Sequence, residues 1–266
     1  MENTAMDELK RLIDVVARLR SPTDGCPWDS VQTNLSIRHY LVEEAGEYLD
    51  ALEEGNDHAV MDELGDLLLQ IVLNAQIAKD EGRFDIQDVA RSEADKMVRR
   101  HPHVFGENAV KDKSEDALRS QWERIKHTEE GYSERKSAMD GIPRHIPGLQ
   151  RAQKAVARSS RAGFKWPSVD GSMGKVDEEL AEVHEALEKG DDAHLAEEIG
   201  DLFFALVVLC HQKGFQSEEV MQAAVHKYMA RFRCVEQDFA ERGADMKQCP
   251  VDELVAAWKR AKKAMK

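Results

Sequence analysis

Cysteine is scarce in this 266-residue chain. Cys26, Cys210, Cys234 and Cys249 form no CxxC pair, so neither a disulfide framework nor a zinc-site spacing is expected. Long apolar runs are missing too: the longest, Leu202 to Cys210, has nine residues, too few to cross a bilayer. The opening MENTAMDELKRL has no apolar stretch of the signal-peptide kind. Positive charge is in deficit. Against 51 acidic residues stand 37 basic ones, a net charge of −14, which argues against general nucleic-acid or anionic-membrane binding. Strand-like alternation is not found, and 7 prolines with 16 glycines do not make a disordered or collagen-like chain. What is present, 42% hydrophobic and 33% charged residues, suits a globular protein large enough for two modest domains. The expected setting is a reducing cytoplasm.

The chain repeats itself. Glu43, Glu44 and Glu47 recur at Glu178, Glu179 and Glu182, each 135 residues on, and Glu63-Leu64-Gly65-Asp66-Leu67 recurs as Glu198-Ile199-Gly200-Asp201-Leu202 at the same shift. Asp116, Leu118, Trp122 and Lys126 recur 136 residues later at Asp252, Leu254, Trp258 and Lys262, and Trp28 and Trp166 lie 138 apart. A tandem duplication accounts for these coincidences. The join falls in a stretch punctuated by Gly131, Gly141, Pro143, Pro147 and Gly148, so the expected division is 1–130, a linker at 131–148, and 149–266. Apolar residues at 41, 45, 48, 49 and 52, and again at 60, 64, 67, 68, 71 and 75, follow helical spacing. Asn56-Asp57 and Asp191-Asp192 fit a short turn and an N-cap between two such helices. The expected fold is all-α: two helical bundles, each of four or five helices.

Within each half, one helix carries EExxE and the next ExxD. At about 100° per residue, Glu44 with Glu47, and Glu63 with Asp66, lie side by side. With Ala45 and Leu64 taken as the centres of the two apolar faces, a short antiparallel hairpin can bring the acidic stripes together. The second helix is apolar nearly all round, Leu67 to Leu73 and Leu202 to Cys210, and such helices are normally buried. Carboxylates at the edge of a buried helix lose hydration and repel one another unless a cation compensates. Four oxygen donors without clustered His or Cys suit Mg²⁺ or Mn²⁺. Other metal sites do not fit: none of the ten histidines follows a glutamate at ExxH spacing, and no DxDxDG loop occurs. The Nudix pattern fails as well, because His39-Tyr40 stand where Arg-Glu belong and Ala181 replaces its glycine.

The chain resembles full-length, two-repeat MazG proteins. The resemblance rests on Gly25-Cys26-Pro27-Trp28-Asp29 with Gln32-Thr33, the EExxE and ExxD pairs, and Arg99-Arg100-His101-Pro102-His103-Val104-Phe105. It continues through Ile142-Pro143, Arg151-Ala152-Gln153-Lys154 and Gly163-Phe164-Lys165-Trp166. It implies a homodimer that hydrolyses nucleoside triphosphates with Mg²⁺ to the monophosphate and pyrophosphate, clearing non-canonical or surplus nucleotides, with a link to (p)ppGpp levels. It carries the metal ligands to Glu44, Glu47, Glu63 and Asp66, and to Glu179, Glu182, Glu198 and Asp201. Glu43 and Glu178 then become supporting acids, each a candidate to take the proton of the attacking water.

Polyphosphate needs cationic side chains. Trp122 with Lys126, and Trp258 with Lys262, are spaced to face one way on a terminal helix; either the Trp packs on a base or ribose and the Lys reaches phosphate, or the Trp is core and the Lys surface. Lys175, Lys227 and Arg231 are further phosphate candidates. Trp28 and Trp166, in loops before the acidic helices, either wall a base pocket or pack in the core. The Arg99–His103 run is expected to end a helix before Pro102 rather than to bind metal. Residues 1–130 hold 29 acidic and 16 basic side chains, and residues 131–266 hold 22 and 21, so a triphosphate should approach the second half more readily. One departure points the other way: near Lys227, where the resemblance leads one to expect asparagine, stand Val225-His226, and Asp95-Lys96 occupy the corresponding stretch of the first half. The rival reading is a non-catalytic helical scaffold that binds nucleotide or a partner, its acidic stripe a structural metal clasp.

Overall fold

A computed structural model describes residues 4–106, 114–129, 136–164 and 168–265. Among these residues every regular element is helical: eleven α-helices and two short 3₁₀ turns, without a strand. The chain divides into two compact units, Met1–Glu129 and Glu130–Lys266.

In the first unit, α1 (Thr4–Leu19) leads through a loop with a 3₁₀ turn at Asp29–Val31 to the hairpin of α2 (Tyr40–Glu54) and α3 (Asp57–Asp80). The hairpin turn is built from capping chemistry. Gly55 takes φ +68° at the end of α2, a left-handed conformation that glycine adopts without Cβ strain, and Asn56 accepts the backbone N–H groups of His58 and Ala59 at the start of α3. Next come α4 (Ile86–Arg100), opened by an Asp85–Asp88 capping box, the single turn α5 (Pro102–Phe105), and α6 (Glu115–Thr128). The expected helix end before Pro102 is found. Val16, Ile37, Val72, Leu73 and Ile77 form the core, with Tyr40 and Leu69 packed on it. Arg20 ties the loop down: its Nε donates to Asp80 Oδ2 at 2.7 Å and its Nη1 to the carbonyls of Asp29 and Gln32 at 2.6 and 3.2 Å.

The second unit holds α7 (Gly148–Arg161), α8 (Val169–Lys189), α9 (Asp192–Gln212), α10 (Ser217–Glu241) and α11 (Val251–Ala264). Its hairpin reproduces the first one: Gly190 at φ +67°, then Asp191 accepting from Ala193 and His194 N–H. Val156 of α7 packs with Val207 and Val208 of α9, and a separate cluster of Val235, Phe239, Ala257 and Ala261 joins α10 to α11. The expected linker is partly tethered, since the Arg158 guanidinium donates to the carbonyls of Ala138, Asp140 and Gly141.

One expectation needs correcting. The apolar second helix of each hairpin is not buried all round. Leu64, Leu68 and Ile71 on α3, and Ile199, Phe203, Phe204 and Leu206 on α9, are exposed within the chain, Phe203 to half its area. Each helix packs one flank into its own unit, and hydropathy alone does not reveal where a flank finds its cover. Leu64, proposed as the centre of the buried face, lies on the open flank; burial on α3 is concentrated from Gln70 to Ala78.

Candidate metal centre and adjoining cavity

The hairpins converge their glutamates as the spacing requires. In the first unit Glu44 and Glu47 on α2 and Glu63 on α3 each bring a carboxylate oxygen within 4.8 Å of the others. In the second, Glu179, Glu182 and Glu198 do the same, with Glu179 and Glu198 buried. Burial, reinforced by the charges of Asp66, Glu47 and Glu43, pushes the Glu44 carboxyl above its ordinary range, against a hydrogen bond donated by Gln70 at 3.5 Å. Burial and the charges of Glu47, Asp66 and Glu44 raise Glu63 likewise. Glu182 is raised by burial and by Glu179 and Glu198. Glu63 Oε2 is buried without a hydrogen-bond partner. Crowded, partly desolvated carboxylates with an orphaned oxygen are a donor set for a hard divalent cation.

The fourth acid of each quartet stands slightly apart. Asp66 and Asp201 are both exposed and lie outside the converging triads, although the charge of Asp66 acts on Glu44 and Glu63. Asp201 instead lines a cavity of about 250 Å³ with Ser172, Lys175 and Glu179 and an apolar wall of Phe204, Ala205 and Val208.

Lys175 is part of this cluster. Its Nζ lies 2.6 Å from Glu179 Oε1 and 3.0 Å from Glu178 Oε1, and these contacts raise its pKa far above the usual lysine value. Glu178 and Glu43, the supporting acids, are both exposed, and Glu178 is paired with Lys175. His194 Nδ1 sits 3.3 Å from Glu198 Oε1. Sequence reasoning missed that neighbour, along with Gln70 beside Glu44; the signal for His194 was its position four residues before Glu198.

The remaining candidates are spread more widely. Lys227 and Arg231 share one face of α10; Lys227 is exposed, and Arg231 is half-buried with no partner for its Nε. Trp258 packs against the Val235–Phe239 cluster with its ring 5.1 Å from that of Tyr228, while Lys262 is exposed. Trp122 is held by His101 at 4.9 Å and by the Arg100 guanidinium at 5.3 Å; Lys126, one turn on, is half-buried. Trp28 is half exposed and meets Tyr40 edge-on, so it is not a core residue. Trp166 lies outside the described residues. Asp95 is exposed and Lys96 pairs with Glu93. Val225 and His226 are exposed on α10.

Comparison with known proteins supplies the context. The sequence model of the MazG nucleotide pyrophosphohydrolase domain matches residues 32–105 and 171–235. A nucleoside triphosphate pyrophosphohydrolase of Escherichia coli is 42% identical over 260 residues, covering 97% of this chain and 98% of that protein. The nucleoside triphosphate pyrophosphohydrolase/pyrophosphatase MazG of Thermotoga maritima is 38% identical over 253 residues, 95% of each chain. An uncharacterized protein of Bacillus subtilis is 35% identical over 262 residues, 98% of this chain and 53% of its own length. Matched twice by the same domain, and over nearly its whole length by such relatives, the chain belongs to the MazG nucleotide pyrophosphohydrolase family.

Proposed function

We infer that this protein is a hydrolase that cleaves nucleoside triphosphates between the α and β phosphates, giving the monophosphate and pyrophosphate, and so clears non-canonical or surplus nucleotides. The observation that carries the reading is the convergence of Glu179, Glu182 and Glu198 beside an open cavity, on a chain of this family.

Mg²⁺, with Mn²⁺ as a substitute, is the proposed cofactor, held by the glutamate triads with Asp66 and Asp201 completing the sets. Bound there, such an ion offsets phosphate charge and lowers the pKa of a coordinated water. The protein's own groups do the rest. Lys175 is positioned to exchange its carboxylate partners for a phosphate oxygen, and Lys227, Arg231 and Lys262 add positive charge. Glu178, or Glu43 in the first unit, is the proposed acceptor of the water's proton. Trp258, Trp122 and Trp28 are proposed substrate contacts through their accessible edges.

The second half is the proposed main site. Its triad is the more buried, its cavity lies open, and it carries Lys175 where the first half has Tyr40. The working form is proposed to be a homodimer, with the exposed apolar flanks of α3 and α9 covered by a second copy; apolar surface of this extent marks association. Four free thiols suit a cytoplasmic setting.

Incubation with mixed nucleoside triphosphates and Mg²⁺ tests the reaction. Pyrophosphate release is the expected result. Orthophosphate instead would indicate a different cleavage, and no release would leave the chain a nucleotide-binding scaffold.

A further inference from the structure

The two repeats, alike in their carboxylates, differ in the residues that flank them. Ser172, in the first turn of α8, is 1% exposed, lines the second unit's cavity, and has no hydrogen-bond partner for its Oγ. A buried hydroxyl without a partner is unusual and calls for an explanation. Stepping back 135 residues from Ser172, Lys175, Ala205 and Val208 leads to Ile37, Tyr40, Gln70 and Leu73. Each replacement but the second enlarges an uncharged side chain. Ile37, Tyr40 and Leu73 are packed together in the first unit's core. At the matching sequence positions of the first unit the side chains are larger: Ile37 is wholly buried in the loop before α2, and Gln70 is buried with its amide 3.5 Å from Glu44.

The chemistry of the cavity walls selects what enters. Phe204, Ala205 and Val208 are apolar, Glu179 and Asp201 are anionic, and Lys175 is already paired with two carboxylates. A phosphate can be met at the carboxylate end, where Lys175 stands, but beyond Lys175, towards Ser172, it would meet apolar surface without a cation. An uncharged group with a polar edge needs none. At about 250 Å³ the cavity is smaller than the roughly 300–1,000 Å³ of sites that enclose a whole drug-sized ligand, so it takes one part of a nucleotide. Ser172 lies seven residues before Glu179 on the same helix, about 10 Å along its axis, which puts the hydroxyl at the end of the cavity away from the carboxylates.

Resting on the hydrolase reading above, we propose that this cavity receives the uncharged nucleoside end of the substrate, that the Ser172 hydroxyl hydrogen-bonds the base or sugar, and that Ser172 is a specificity-determining residue. On this reading the first half, with the bulkier Ile37 and Gln70 at the matching sequence positions, keeps its carboxylates but receives a nucleoside less well.

The full-length protein with Mn²⁺ tests this through equilibrium binding of two probes, α,β-methylene-ATP and inorganic tripolyphosphate, which has phosphates but no nucleoside. Ser172→Ile, which imitates the first half, should weaken the analogue at least tenfold and change tripolyphosphate and Mn²⁺ binding less than twofold. Ser172→Ala should keep or raise the melting temperature, because the orphaned hydroxyl is gone, while shifting relative kcat/KM between substrates. A changed ATP-to-dATP ratio places the hydroxyl on the sugar, and a changed ATP-to-GTP ratio on the base. Ala205→Gln, which imitates Gln70, gives the same filling test should Ser172→Ile fail to fold. Equal weakening of both probes would mean that the cavity holds phosphate, and unchanged binding of both would mean that it holds nothing; either overturns the proposal. Wild-type protein that binds Mn²⁺ and hydrolyses nucleotides while the Ser172 and Ala205 variants match it sinks this inference alone. Wild-type protein that binds neither metal nor nucleotide sinks the hydrolase reading and takes this inference with it.

Discussion

Lys175 Nζ lies 2.6 Å from Glu179 Oε1, so the second carboxylate cluster carries a cation of its own before any metal arrives, and Tyr40 fills the matching position in the first. The ammonium also holds down the proton affinity of Glu182. In Lys175→Met, Glu178 and Glu179 lose their cationic partner beside the carboxylate cluster. The melting temperature without metal should fall, and the rise on adding Mn²⁺ should exceed that of wild type. Turnover should drop roughly a hundredfold if the ammonium also meets charge that develops on phosphate. Thermal scans with and without Mn²⁺, beside a pyrophosphate assay, read both effects. A variant equal to wild type in both would show the ion pair to be idle.

The cluster should also make metal binding sensitive to acid. Glu44, Glu63 and Glu182 have pKa values raised above the ordinary 4.5, first by burial and then by neighbouring carboxylates. Between 4.5 and the raised values the folded chain holds protons that the unfolded chain has released. The stability these groups contribute is thus present below 4.5 and lost as pH rises through the raised values. Glu129 and Asp238, lowered by their arginine partners, run the other way and lose stability as pH falls. The difference in melting temperature with and without Mn²⁺ cancels those distant pairs. It should be near zero around pH 4.5 and grow to a plateau above the raised range. Glu182→Gln should raise the metal-free melting temperature at neutral pH and shrink the Mn²⁺ gain; a gain independent of pH would refute this account.

Asp201→Ala should lower pyrophosphate release by two orders of magnitude or more, since Asp201 lines the open cavity, while Asp66→Ala should cost less than a factor of three. Steady-state kinetics on both variants decides it. Similar losses would show that the halves share the work.

Phe203 is half exposed on the apolar flank of α9. Phe203→Asp should convert a dimer into monomers in sedimentation velocity, because a buried unpaired charge outweighs the apolar contact it replaces. An unchanged mass would show that this flank is not the proposed dimer contact.

Arg20→Met removes a nearly buried guanidinium that bonds Asp80 and two loop carbonyls. Loss of these charge-assisted bonds should destabilise the first unit by about 2–3 kcal/mol in urea unfolding. A loss below about 0.5 kcal/mol would show the loop to be held by other contacts.

Much of this architecture can be read directly from the letters. Duplicated rare residues and 3–4 spacing imply two all-α units, Asn56 and Asp191 mark the hairpin turns, and EExxE with ExxD predicts the meeting of Glu179, Glu182 and Glu198. Periodicity is local, and these features are local. What stayed hidden depends on neighbours far along the chain or outside it. Leu64 and Phe203 look like core because hydropathy does not say who covers a surface. Lys175 looks like one phosphate candidate among several, since its bond to Glu179 depends on rotamers. Ser172 is not legible in the repeat, which marks what recurs, whereas the change from Ile37 to Ser172 is informative because it does not recur.

Each acidic hairpin is joined by two residues, Gly55-Asn56 and Gly190-Asp191, both fully engaged in capping. One inserted residue would rotate the following helix by about 100° relative to its partner and swing Glu63 or Glu198 out of reach of the others. Insertional scanning should therefore find these connectors as intolerant as the acids themselves, although neither touches a ligand. In each half the connector works as a ruler, and its length belongs to the binding site.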